Sequence, residues 1–350
     1  MGAFIFKCPN CGGELVFDPA AQKYKCEYCL SAFTQEEMDA LSGEHSQETG
    51  APQTEQTASS EAVMYHCPSC GAEVITDETT AATFCYYCHN PVILEGAVSG
   101  EYLPDRIIPF QISKEQAKDA FLTYVKKRHF VPRTFFSEEQ IEKLSGIYFP
   151  YWVYECTMQG DVEGSATKVR VYRVGDTEVT ETSIYHVGRD GEASFDQITR
   201  NALQKSDRLL VDNVQPFELE QLRPFQMSYL SGFMAEKRDM DQDRFTAELQ
   251  AECRKYAESV FRSSVSGYTT VNLSSQNYAL KEEHWQYVLL PVWILTYRRS
   301  GGDRLWYYAM NGQNGRVFGE LPLDGKKIAL MSAVLFVAVT VLAMIGGYLL

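Results

Sequence analysis

Eight of the ten cysteines fall into two stretches of identical spacing. The first, KCPNCGGELVFDPAAQKYKCEYC, carries Cys8, Cys11, Cys26 and Cys29. The second, HCPSCGAEVITDETTAATFCYYC, carries Cys67, Cys70, Cys85 and Cys88. Both read C-x2-C-x14-C-x2-C. A C-x2-C turn aims two thiolates at one ion, and two such turns complete the closed tetrahedron of structural zinc. Gly12 and Gly71 follow the first pairs, where a left-handed backbone suits glycine. The expected cofactor is therefore Zn2+ at two structural sites, with iron in the same tetrathiolate cage as the alternative. Redox chemistry fits less well, because a redox-active C-x-x-C normally stands alone. Four protein ligands leave no position for water, which argues against catalytic zinc. His66 and His89 adjoin ligands and are expected to face solvent as bystanders.

The residues between the pairs, ELVFDPAAQKYK and EVITDETTAATF, read as two short strands with a turn. Strand, knuckle and turn together resemble the zinc ribbon of transcription-factor-IIB or rubredoxin-like type. A unit so small has almost no core, so metal binding is expected to supply most of its folding energy.

The formal net charge is −14. That argues against a general polyanion binder, because phosphate recognition needs local positive charge, although a basic patch remains open. The first ribbon offsets Lys7, Lys23 and Lys25 with Glu14, Asp18 and Glu27. The second has no Lys or Arg between His66 and Leu94. A membrane-tethered regulator binding nucleic acid through its ribbons is thus the alternative reading, and protein contact the preferred one. MGAFIFKCPNC lacks a secretory signal pattern, so reduced cysteines in the cytoplasm are expected.

At the other end, residues 328–350 (IALMSAVLFVAVTVLAMIGGYLL) carry no charge. About 20 apolar residues cross a bilayer core. Lys326 and Lys327 precede the segment, and the positive-inside rule places them, with the bulk of the chain, on the cytoplasmic side. The expectation is a single-pass tail anchor in the cell membrane, contacting the bilayer through 328–350.

These landmarks divide the chain into zinc ribbon 1 (1–37), a flexible linker (38–61), zinc ribbon 2 (62–96), an α+β cytoplasmic domain (97–325) and a transmembrane helix (328–350). The polar run SQETGAPQTEQTASSE underlies the linker. QEEMDALSGEH before it has room for one or two helical turns. ISKEQAKDAFLTYVKKR reads as an amphipathic helix, with Ser113 and Gln116 as a capping box and Ala117, Ala120, Phe121 and Tyr124 on one face. SEEQIEKLSG repeats that grammar, capped by Ser137 and stopped by Gly146. GIYFPYWVYEC and DVEGSATKVRVYRVGDTEVTETSIYHVG read as strands turning near Gly175. DQDRFTAELQAECRKYAESVFRSSV is a long helix with Phe245, Leu249, Cys253, Tyr256 and Val260 inward. YVLLPVWILTYRR and RLWYYAMNGQNGRVFGELP read as paired strands around the NGQNG turn. IYFPYWVY and VLLPVWIL echo each other, each with Pro, one residue, then Trp. A duplicated subdomain and chance likeness both explain this.

The fold class is α+β: two small N-terminal zinc ribbons, an α+β domain and one C-terminal helix. No G-x-S-x-G, P-loop or H-E-x-x-H motif occurs. His129, His186 and His284 are isolated in sequence, and Cys156 and Cys253 read as small core residues. No catalytic residue is assigned and no enzyme is expected.

The order of parts, with the stretches IIPFQISKEQAKDAF, YFPYWVYE, MSYLSGFMAEKRDMD and YYAMNGQNGRVFGELP, resembles the zinc-ribbon membrane proteins that bacteria encode beside phage shock protein A or stomatin/prohibitin/flotillin-type proteins. The resemblance implies a non-enzymatic membrane adaptor. It would recruit a flotillin-like or phage-shock-type partner at the cytoplasmic face of the membrane under envelope stress.

Overall fold

The computed structural model describes residues 3–45, 62–85, 87–204, 212–298 and 304–349. The protein is a mixed α+β chain with two N-terminal cysteine clusters and one C-terminal apolar helix. Its contacts divide it into two compact units. Unit 1 holds residues 1–150, 203–237 and 289–350; unit 2 holds 151–202 and 238–288.

The N-terminal part of unit 1 contains β1 (Ala3–Phe4), β2 (Leu15–Asp18), β3 (Lys23–Cys26), β4 (Ala32–Phe33) and α1 (Gln35–His45). Helix α1 is three turns long rather than one or two. It is held by Met38, which is 1% exposed. Residues 46–61, the polar run of the expected linker, lie outside the described residues. Next come β5 (Ala62–His66), β6 (Glu73–Asp77), β7 (Thr80–Phe84) and β8 (Pro91–Leu94), then β9 (Arg106–Ile107), α2 (Lys114–Lys126) and α3 (Glu138–Glu142). Strands β10 (Ser145–Val174) and β11 (Thr177–Asn201) form a long antiparallel hairpin turning at Gly175. The remaining elements are β12 (Arg223–Pro224), β13 (Met234–Glu236), α4 (Asp243–Ser264), β14 (Thr270–Arg298), β15 (Leu305–Asn311), β16 (Val317–Gly319) and α5 (Gly325–Leu349).

The main sheet runs β1-β8-β7-β13-β10-β14-β15-β16, with β11 on β10. Strands β2-β3-β4 make a second sheet and β5-β6 a third. The reading of α2 holds at its start: Ser113 and Gln116 form the reciprocal capping box, satisfying two of the helix's orphan donors. Its buried residues are Ala117, Phe121 and Val125, at four-residue steps.

Two local expectations are corrected. Gly146 does not stop α3, which ends at Glu142; it lies inside β10. A Cβ there would meet Phe233 Cδ1 at 2.7 Å and Phe110 Cζ at 3.1 Å, so glycine leaves space for stacked rings. In unit 2, α4 buries Phe245, Leu249, Cys253, Ala257 and Phe261, whereas Tyr256 and Val260 are exposed. Gly160 makes room for one residue of that face. A Cβ on it would lie 2.3 Å from Phe261 Cε2, so the glycine admits the phenyl ring.

The sequence echo has a structural counterpart. Neither Pro150 nor Pro291 ends its strand. In each case the antiparallel ladder begins at the next residue, Tyr151 opposite Asn201 and Val292 opposite Asn311. Both partner asparagines are buried, and each following tryptophan donates its indole N–H to a backbone carbonyl: Trp152 to Met240 O at 2.9 Å, Trp293 to Ile112 O at 3.1 Å. A ladder that starts after the proline never needs its missing N–H.

Candidate metal centres

Four turns of one design hold the cysteines. Cys8 N–H donates to Gly13 O (2.6 Å) and Gly12 N–H returns to Cys8 O (2.8 Å). Cys26 pairs likewise with Ser31 and Leu30, Cys67 with Ala72 and Gly71, and Cys85 with Asn90 and His89, all at 2.8–3.0 Å. The residue four positions after each leading cysteine is left-handed: Gly12 at φ +74°, Leu30 at +60°, Gly71 at +75° and His89 at +61°. Glycine takes this conformation freely, whereas a side chain there costs about 1–2 kcal/mol. Sequence inspection found the two glycine turns by this signal. Leu30 and His89 carry no such mark.

The turns bring the sulfurs together as expected. In the first quartet Cys8 and Cys29 lie 3.6 Å apart, Cys11 and Cys26 3.5 Å. In the second the pairs Cys67–Cys88 and Cys70–Cys85 are 3.7 and 3.8 Å apart. Within each quartet all four sulfurs lie within 4.8 Å of one another. A tetrahedral zinc with Zn–S bonds of about 2.3 Å needs sulfur separations of about 3.8 Å. None of the eight is disulfide-bonded. Both groups could hold a metal ion. His66 and His89 are exposed and stand outside the quartets.

Proton affinities within each quartet diverge, as expected of crowded thiols. The Ser31 hydroxyl and backbone N–H draw Cys29 down to about 6. At Cys11 the Gly13 N–H acts downward, but its neighbours Cys29 and Cys26 push it up to about 12. In the second quartet, burial raises Cys85, yet the N–H groups of Cys88 and Tyr87 outweigh it and bring it to about 7. Burial and the adjacent sulfurs push Cys88 to about 12. A dication held by the four cysteines would remove this conflict by stabilising every thiolate at once.

Both quartets are rooted in unit 1. From β2, Phe17 packs edge-on against Tyr229 at 5.4 Å, and its N–H donates to Ser231 O at 3.0 Å. The Tyr24 hydroxyl on β3 hydrogen-bonds Ser228 Oγ at 2.9 Å, and Ser231 Oγ donates to Leu15 O. Burial pushes the Tyr24 phenol far above its ordinary value, which keeps it neutral. The second quartet is tied in by strands: β7 pairs with β13 through Ala82 and Ala235, and β8 pairs with β1 through Leu94 and Ala3. Asn90 links the two cysteine segments, donating to Glu14 Oε1 and to Ser69 Oγ. The serine and tyrosine contacts pair residues some 200 positions apart, beyond the reach of periodicity.

The outer sides of the second turns carry apolar groups that core patterning did not single out. Tyr28 is 84% exposed, Leu30 71% and Tyr87 72%. Tyr28 and Tyr87 occupy the same position in the two copies. That coincidence was the available signal.

Among the described residues, α5 is the one helix long and apolar enough to cross a membrane. Its most apolar 18-residue stretch within 325–345 has a mean hydropathy of 2.8, and none of that stretch is buried. At 1.5 Å per residue the 21 residues of 325–345 extend about 32 Å, close to the hydrocarbon thickness.

No family model matches the chain, and no solved structure matches it. It is 33% identical over 324 residues to a Bacillus subtilis protein described as "Uncharacterized protein YdjG", covering 93% of this chain and 92% of that one. At that identity and coverage, the chain belongs to the same family as YdjG.

Proposed function

We propose that this chain is a non-enzymatic, membrane-anchored zinc-ribbon adaptor. Each quartet binds one Zn2+ as a structural ion. Helix α5 spans the membrane, and Lys326 and Lys327 at its start keep the bulk of the chain in the cytoplasm. The ribbons hold a protein partner at that face, of stomatin/prohibitin/flotillin or phage-shock-protein-A type, in the response to envelope stress.

One observation carries this reading: two closed tetrathiolate turns each present an exposed tyrosine, Tyr28 and Tyr87, at the same position. Exposed aromatics on a rigid turn lose little entropy on binding and make strong anchors for a protein partner. A closed shell supports a structural rather than a catalytic ion. In unit 2, Cys156 and His284 line a depression with Glu155, Asp196, Glu282 and Glu283. Reactive cysteines need electropositive surroundings, and these are acidic.

The test is metal content combined with membrane association. Purified full-length chain is expected to hold two zinc ions. It should stay in the membrane pellet after alkaline extraction and become soluble when 328–350 is deleted. Less than one metal ion per chain, or release by alkali, would overturn the reading.

A further inference from the structure

The loop after α2 reverses the charge of the chain locally. Between Asp119 and Glu138 there is no acidic residue, while Lys126, Lys127, Arg128 and Arg133 all fall there. The net charge of the whole is −14. Among the described residues, none of these four cations forms an ion pair.

The fold fastens this loop to the base of α5. Asp324 N–H donates to Phe130 O at 2.7 Å, and Lys327 Nζ donates to Val131 O at 2.7 Å. The Tyr124 hydroxyl, near the end of α2, donates to Gly319 O at 3.1 Å. Between the loop and residues 319–323 lies a cavity of about 450 Å3. Lys127, Arg128 and His129 line one side; Leu321 and Leu323 line the other. The Arg128 guanidinium rests over the Tyr124 ring at 5.3 Å, which holds it in place. Neighbouring carboxylates are already engaged. Asp324 accepts the Lys326 and Lys327 N–H groups at the start of α5, and Glu320 binds Arg304 at 2.7 Å.

Both ties reach α5 within one turn of Ile328, where the uncharged run begins. If α5 spans the membrane, the cavity is held in the headgroup layer, which is about 5–7 Å thick on each side of the hydrocarbon. We infer that this cavity seats the anionic headgroup of a phospholipid, with its phosphate against Lys127, Arg128 and His129 and its acyl chains beside Leu321, Leu323 and α5. The site combines basic side chains, one of them held over a ring, with an apolar wall and an adjoining anchor, which matches the three parts of such a lipid. This inference rests on the membrane-spanning reading of α5. It adds a lipid preference that an anchor helix alone would not have.

The full-length chain in detergent, given equal phosphatidylglycerol and phosphatidylcholine, provides the test by native mass spectrometry. Phosphatidylglycerol adducts are expected to exceed phosphatidylcholine adducts about tenfold, given the attraction of each Lys or Arg for anionic lipid. The variant Lys127→Gln/Arg128→Gln/His129→Gln should bind both lipids about equally. Lys168→Gln/Arg170→Gln/Arg173→Gln, in β10, should keep the preference, and Arg128→Gln alone serves if the triple variant does not fold. Excess inorganic phosphate should leave the adducts in place; displacement by phosphate would assign the cavity to a free anion and overturn the inference. Equal uptake by the unmodified chain, or a preference that survives the triple variant, would overturn it too. Alkaline extraction separates the two readings, since a chain retained in membranes without lipid preference refutes the lipid site alone.

Discussion

Replacing Phe17 by alanine tests whether the first ribbon is a bead on a tether or part of the unit 1 core. Phe17 is 2% exposed and meets the rings of Tyr24 at 5.3 Å and Tyr229 at 5.4 Å. Deleting a buried phenyl costs about 3–5 kcal/mol, with the two ring contacts contributing part of that. The residue already borders a cavity of about 360 Å3, so water can enter the space, which favours the lower end at about 3 kcal/mol. For a unit of this size each kcal/mol shifts the melting temperature by about 2–4 °C, so a fall of about 10 °C is expected. The assay is hydrogen exchange of the zinc-loaded full-length chain in detergent along a thermal ramp. Peptides from 289–298, which carry the buried Trp293 of unit 1, should lose protection about 10 °C earlier than in the unmodified chain. If only residues 3–37 lost protection while 289–298 stayed unchanged, the shared-core argument would be wrong.

Acidification should lower the metal affinity of both quartets. Cys85 and Cys29 have folded values below the ordinary thiol range, about 7 and about 6, so the stabilisation each thiolate gives the metal-free fold is present at alkaline pH and lost as pH falls through those values. Metal must displace an additional proton below each value, so zinc affinity should fall with pH; an affinity that does not change with pH would contradict this. Gly160→Ala should destabilise unit 2 by about 1–3 kcal/mol, because its Cβ would fall 2.3 Å from Phe261 Cε2; an unchanged denaturant midpoint would show that α4 can retreat without cost. His66→Ala with His89→Ala should leave the metal content unchanged, since neither ring joins a quartet, and loss of an ion on elemental analysis would make one of them a ligand.

The two cysteine quartets were legible in the sequence because their spacing is local. A C-x2-C turn is fixed by its own hydrogen bonds, and glycine marks two of the four turns. The capping box at Ser113 was legible for the same reason. What escaped was decided across the fold. Gly146 looked like a helix stop, yet its role is to admit Phe233 and Phe110. The inward place of Phe261 on α4 depends on the space left by Gly160, far earlier in the chain. Tyr24 and Ser228 make a bond between β3 and a short turn that neither stretch announces alone. The exposure of Tyr28 and Tyr87 was hidden because aromatic residues default to core in any sequence reading.

The most direct test of the adaptor reading is a comparison of proteins retained by the full-length chain from solubilised membranes with those retained by Tyr28→Ser/Tyr87→Ser. The reading predicts that a stomatin/prohibitin/flotillin-type or phage-shock-protein-A-like partner accompanies the unmodified chain in near-equal amount. The partner should be lost from the variant, while both bind two zinc ions. An unchanged set of partners in the tyrosine variant, and in a variant with both quartets changed from Cys to Ser, would contradict it.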